Sequence, residues 1–277
     1  MNRLPLLLAL LALGCGSRPA PAPPLDDDPP LPGASLQMYL VLTADPAAMQ
    51  DPAAVETMWQ AVRGESERYR PIQSRVTGVP PGYELDIELD FADLPHPALA
   101  PDALAAMIAE LPPEARARAE AAKLAVSIRS TTDTLPDGGH IRLVGAAALL
   151  AADRHDGVIL DLLARRAWTA ADWYAELAAP TLSSRQIRLA QRRAQDGITL
   201  QTRGNPKYGA PDLVMPAVAP PALDAARRRF IAVQDRLIER GGAPGARVAV
   251  PGGEITLAPC ADAGEVEVGC VQIPPPE

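Results

Sequence analysis

Seven prolines lie between residues 19 and 32, within "GSRPAPAPPLDDDPPLPGA" (residues 16–34). Proline fixes φ and removes a backbone donor, so neither helix nor strand can run through this stretch. Packed structure is therefore expected after residue 34, with tether and leader before it. A polyproline-type spacer extends about 3.1 Å per residue, which gives it at most roughly 60 Å of reach. Asp26, Asp27 and Asp28 keep it solvated. The remaining about 240 residues suffice for one large domain or two small ones, either with a sizeable core.

Ahead of the prolines, Arg3 supplies a positive n-region and Leu4–Leu13 an apolar run interrupted by Pro5. Gly14 is a small residue directly before Cys15. This is the order of parts in a secretory signal. The apolar run is about half the 20 residues that a membrane-spanning helix needs. "LALGC" (residues 11–15) resembles the lipobox of bacterial lipoprotein precursors, with Ala12 where that family usually has leucine. The resemblance implies cleavage after residue 14 and acyl chains, including palmitate, on Cys15 as the membrane anchor. Gly16 stands where inner-membrane lipoproteins commonly carry Asp, so the resemblance implies the outer membrane, facing the periplasm. The alternative is a plain secretory signal that ends by chance at a cysteine.

The full chain has 26 basic and 34 acidic residues, a formal charge of −8, and loss of residues 1–14 with Arg3 makes it −9. Such a chain is repelled by nucleic acid and by anionic lipid surfaces, so nucleic acid is excluded as a partner. The expected partners are the membrane, through the anchor, and an envelope protein or small ligand. Cys260 and Cys270 lie in "CADAGEVEVGC", where a Gly-containing turn lets two short strands face each other. In an exported chain this pair is expected to form a disulfide, with free thiols or a metal pair as the alternatives.

Helical and strand periods alternate along the rest. "QMYLVLTA" (37–44) reads as a strand. "DPAAVETMWQAVRG" (51–64) reads as a helix, with Val55, Met58, Trp59 and Val62 on one face. "YELDIELDF" (83–91) alternates strictly, as a half-exposed strand does. "PDALAAMIAEL" (101–111) is helical and "KLAVSIRS" (123–130) a strand. "IRLVGAAALLAADR" (141–154) is a small-residue helix, and "GVILDLL" (157–163) a buried strand. "WTAADWYAEL" (168–177) starts a helix with Thr169 and Asp172 as a capping-box variant and Trp168 and Trp173 as a hydrophobic staple. A sugar-stacking platform is the alternative role for these tryptophans. Residues 185–204 read as a hairpin across Asp196–Gly197, with a helix over 183–194 as the alternative. A strand at 211–218, a helix at 221–242 with Leu223, Ala226, Phe230, Val233 and Leu237 at 3- and 4-residue spacing on one face and Gly241 at its end, and strands at 246–250, 254–258 and 265–272 complete the chain.

This pattern predicts an α+β fold of mostly antiparallel sheets with helices packed on one face. The expected organisation is a signal peptide (1–14), a lipidated cysteine and tether (15–34), and two α+β units (35–135 and 136–277), with two ferredoxin-like units as the specific form. Residues 141–257 resemble an uncharacterised bacterial domain family in which an "RG…FG.P.L" turn leads to a long helix and a "dGdTig"-like hairpin. "TRGNPKYGAPDL" and "PGGEITL" fill those places here, with Tyr208 where the pattern has Phe. That resemblance implies no activity.

No nucleophile elbow, phosphate loop or H-x-x-H pair occurs, so no residue is assigned a catalytic role and no cofactor is expected. Two sites are candidates. Arg203 and Lys207, in the polar loop 202–212, could hold an anion over backbone N–H groups, although Gly, Asn and Pro also simply turn a chain. Asp153, His155 and Asp156 could bind a metal if His140 or His96 folded against them, which would make the chain a lipid-anchored metal-dependent hydrolase. Otherwise His155 is a solvated cation at a helix C-terminus.

Overall fold

The computed structural model describes residues 34–44, 67–94, 99–240, 242–251, 253–260 and 270–276. The leader, the tether, Cys15, His96, Gly241 and the helix expected over 51–64 lie outside the described residues. Two compact units are present, Ser35–Arg188 and Leu189–Glu277. The first therefore runs well past the expected division at 135/136. A cut there would sever a sheet, because a strand from beyond residue 136 pairs with the first strand of the fold.

The first unit contains β1 (Ser35–Thr43), α1 (Arg70–Gln73), β2 (Glu88–Asp93), α2 (Pro101–Ile108) and α3 (Pro113–Ala121). It continues with β3 (Leu124–Thr132), α4 (Gly139–Arg154), β4 (Val158–Asp161), β5 (Arg166–Trp168) and α5 (Ala170–Ala178). The strands form one antiparallel sheet in the order β2-β3-β1-β4-β5. Insertion of β3 between β1 and β2, with β4 on the far side of β1, is the split βαβ arrangement expected of a ferredoxin-like unit.

The sheet is covered on both faces, not on one. Tyr39 and Val41 pack with Val126, Ile128 and Ile159 against α4 and α5. Leu40 and Leu42 point the other way, with Val158 and Leu160, onto Met107, Ile108 and Leu111 and the alanines of α3. A strand buried on both sides needs no polar alternation, which explains the unbroken "YLVL" and "VIL" runs. At the sheet edge the alternation returns. Leu85, Ile87 and Leu89 turn inward while Glu84, Asp86 and Glu88 are exposed, although regular β2 begins only at Glu88.

The small residues of α4 let α5 approach closely. A Cβ on Gly145 would lie 3.0 Å from both Leu177 and Trp173. Trp173 uses the space to donate its Nε1–H to the Gly145 carbonyl at 2.9 Å. Thr169 caps α5 by accepting from the Asp172 N–H at 3.0 Å, and the Trp168 and Trp173 rings meet at a 59° tilt with centroids 5.1 Å apart, as the staple. Both rings are buried, so neither offers a sugar platform.

The second unit holds β6 (Arg188–Ala194) from Leu189 on, β7 (Gly197–Arg203), β8 (Asp212–Val218), α6 (Leu223–Arg240), β9 (Arg247–Val250), β10 (Gly253–Thr256), β11 (Ala258–Pro259) and β12 (Cys270–Gln272). Five strands form a sheet in the order β11-β12-β8-β7-β6, in which β12 runs parallel to β8, while β9 and β10 pair separately. The parallel pair sets this sheet apart from the split βαβ order of the first unit. Within 185–204 the expected hairpin spans 188–203 and turns at 195–196, while residues 184–186 ahead of it form a 3₁₀ turn. Ala226, Phe230, Val233 and Leu237 bury the face of α6 that their spacing predicted, against Leu213, Met215, Val271 and Ile273. Cys260 and Cys270 are joined, with Cα atoms 5.7 Å apart. A loop of this length contributes about 3 kcal/mol in the chain-entropy model. The bond fixes the end of the β11–β12 hairpin, whose Val271 fills the core.

Candidate functional site

The expected metal ligands do not converge. His140 sits in the first turn of α4, and Asp153, His155 and Asp156 sit at its other end. Fifteen residues of helix at 1.5 Å each separate the two histidines by about 22 Å. His140 is buried, and its Nδ1 accepts the Leu135 N–H at 2.8 Å. Asp153 is engaged by Arg68 at 2.7 Å and by the Tyr69 hydroxyl at 2.8 Å. Burial, and secondly the Asp153 carboxylate, push the Tyr69 phenol well above its ordinary value. The His155 carbonyl accepts from Thr43 at 2.8 Å, and Asp156 pairs with Arg118 at the surface. Among the described residues no group of three His, Cys, Asp or Glu side chains is placed to hold a metal ion. The set that would include His140 is therefore not assembled, and His96, its alternative, lies outside the described residues.

The loop with Arg203 and Lys207 is folded inward. Asn205–Tyr208 make a single 3₁₀ turn between Gly204 (φ 107°) and Gly209 (φ 69°), both left-handed and so suited to glycine. Asn205 and Lys207 are fully buried, so the expected two-residue anion cradle is not presented to solvent; Arg203 donates to Gln201 at 3.3 Å. The sequence reading missed the residue that organises this turn. Asp212 Oδ1 accepts from the Asn205 N–H and the Thr202 hydroxyl, each at 3.2 Å. Thr202 Oγ1 in turn accepts the Leu213 N–H at 2.7 Å. The signal available was an acid at the head of an otherwise apolar strand, "DLVM".

Burial raises the Asp212 carboxyl to about 6, against the opposing pull of its hydrogen bonds and of Arg203. The folded protein therefore holds this proton more tightly than the unfolded chain, whose carboxyl titrates near the ordinary 3.8. The contribution to stability is greatest below 3.8 and is lost as pH rises through about 6. Asp212→Asn keeps an acceptor for both donors and removes the charge. Its stability relative to the wild type is expected to improve by about 1–3 kcal/mol between pH 4 and pH 8. Denaturation midpoints of both proteins at the two pH values provide the check, and a difference independent of pH would contradict it.

The second unit also carries an open cleft of about 460 Å³ between α6 and the β9–β10 hairpin. Ala225, Arg228, Arg229 and Ala232, spaced i, i+3, i+4, i+7, form the helical wall, and Val250 and Ile255 lie opposite. Among the described residues, neither Arg228 nor Arg229 makes an ion pair or a side-chain hydrogen bond, and the Arg229 Nε is buried without an acceptor. Glu254, the acid of the lining, faces Arg247 at 3.7 Å. The volume lies within the range of small-ligand sites, and an apolar wall with two uncompensated guanidinium groups suits a ligand with an anionic head. Comparison with protein-family models, with curated proteins and with solved structures finds no match.

Proposed function

We propose that this chain is a lipid-anchored protein of the bacterial cell envelope, held at the outer membrane and facing the periplasm. Its globular part acts as a non-catalytic binding module. The observation that carries the binding role is the cleft of α6 and the β9–β10 hairpin, where Arg228 and Arg229 have no ion-pair partner among the described residues. Two guanidinium groups on one helical face recognise carboxylate or phosphate groups through parallel N–H donors. The cellular setting is supported by the resemblance of "LALGC" to a lipobox and by the proline spacer behind it. The Cys260–Cys270 bond is in keeping with an oxidising compartment. Among the described residues no helix is long and apolar enough to cross a membrane.

Native mass spectrometry of the protein extracted gently from membranes tests the binding role. The wild type is expected to carry a small acidic adduct that Arg228→Glu/Arg229→Glu lacks. A wild type without adduct, or one shared equally by both proteins, would overturn the cleft reading.

A further inference from the structure

A second basic cluster lies in the first unit, where sequence spacing gave no hint of it. We propose that Arg166 and Arg185, which flank Trp168, and Arg188, which shares Glu110 with Arg166, form a binding site for a phosphate-class oxyanion. This inference is independent of the cleft and of the lipid anchor.

Two stretches of chain, 166–168 and 185–188, build the cluster. Arg166 begins β5, the outermost strand of its sheet, directly after Arg165, which holds φ at 49° in the turn from β4. Arg185 belongs to the 3₁₀ turn Ser184–Gln186. That turn is fixed from below by Glu176 of α5, which accepts from the Ser183 N–H at 2.6 Å, the Ser183 hydroxyl at 2.7 Å and Gln186 Nε2 at 3.3 Å. So held, the Arg185 guanidinium lies 4.2 Å from the centroid of the Trp168 ring, and that of Arg166 lies 5.9 Å from the same centroid. Arg188 donates to the Arg165 carbonyl at 2.8 Å.

Two carboxylates serve this group: Glu110 by ion pairs, and the buried Asp161 by its field on Arg166. Glu110 faces Arg188 at 3.4 Å and Arg166 at 3.9 Å, and it is more than half exposed. Three guanidinium groups against these two carboxylates leave a local excess of one positive charge, on a chain whose formal charge is −8. Donors are in surplus too. Each guanidinium offers five N–H groups. The Arg166 Nε and Trp168 Nε1 are both buried with no acceptor among the described residues. Burial, together with the neighbouring Arg185 and Arg188, depresses the Arg166 pKa, so the group carries its charge at a cost. One oxyanion seated among the three would supply both the missing charge and the missing acceptors. Phosphate groups match the planar donor fork of arginine, and the ring of Trp168 holds Arg185 in place beneath it.

The chemistry is shared by a free phosphate compound and by a phospholipid headgroup, and titration calorimetry in 150 mM salt separates them. The probes are inorganic pyrophosphate, soluble dihexanoyl phosphatidate, and dihexanoyl phosphatidylcholine as the zwitterionic control, each added to the full chain in detergent. Pyrophosphate is expected to bind saturably, at least about tenfold more weakly to Arg185→Gln/Arg188→Gln, since two charge-assisted contacts are lost. Glu110→Gln is expected to tighten binding about threefold by removing the competing charge. Arg228→Gln/Arg229→Gln should leave this phase unchanged. Phosphatidate binding with the same dependence on the variants assigns a headgroup, and its absence beside pyrophosphate binding assigns a free anion. Failure of both anions to bind, or binding indifferent to both Arg185→Gln/Arg188→Gln and Glu110→Gln, overturns the proposal.

Discussion

Trp173→Ala is expected to destabilise the first unit by about 3–5 kcal/mol, as truncation of a buried tryptophan does. The ring is fully buried and is the keystone of three contacts. It meets Tyr39 of the central strand at 5.4 Å and Trp168 at 5.1 Å, and it donates to the Gly145 carbonyl at 2.9 Å. Alanine leaves a cavity that α4 and the sheet cannot both close, and it strands a ring edge on each side. The same helix carries Glu176, which holds the turn bearing Arg185, so loosening α5 also releases that arginine. Urea denaturation followed by circular dichroism measures the cost. Trp173→Phe, which keeps most of the apolar volume and loses the hydrogen bond, should fall well short of it. A loss below about 1 kcal/mol for the alanine variant would contradict this account of the core.

The second large effect concerns Cys15. Each acyl CH₂ buried in a bilayer contributes roughly 0.8 kcal/mol, and one chain alone gives only marginal attachment, whereas several hold a protein stably. Cys15→Ser removes every acceptor atom for that modification in the leader region, since the other two cysteines are bonded to each other. The wild type is expected in the outer-membrane fraction, and the variant is expected to be lost from it. The net negative charge of the chain works against nonspecific adhesion to anionic headgroups. Equal recovery of both proteins in that fraction would remove the anchor from the proposal.

Much of the architecture was legible in local pattern because burial leaves a period behind. The 3- and 4-residue spacing of Ala226, Phe230, Val233 and Leu237 named the buried face of α6, and "WTAADW" announced both the cap and the staple of α5. The two cysteines, ten positions apart, were legible as a pair. Period does not report the partner of a face, however. "YLVL" announces burial on both sides, yet only the pairing of β1 with β3 and β4 shows that one sheet reaches from residue 35 past the expected division. The sites were less legible for a related reason. Lys207 reads as a surface cation until a tight turn between two left-handed glycines folds it inside. Glu110 and Arg188 meet across 78 positions, a separation at which spacing carries no signal. The two histidines failed as a site in the opposite way: both lie on or beside one helix, and that helix holds them apart.

The anchor is decided by the intact mass of the amino-terminal peptide from the membrane-extracted protein. The expected result is a mature chain that starts at Cys15 with thioether-linked diacylglyceryl on its sulfur. A peptide beginning at Met1, or one beginning at Cys15 with a free thiol, would contradict it.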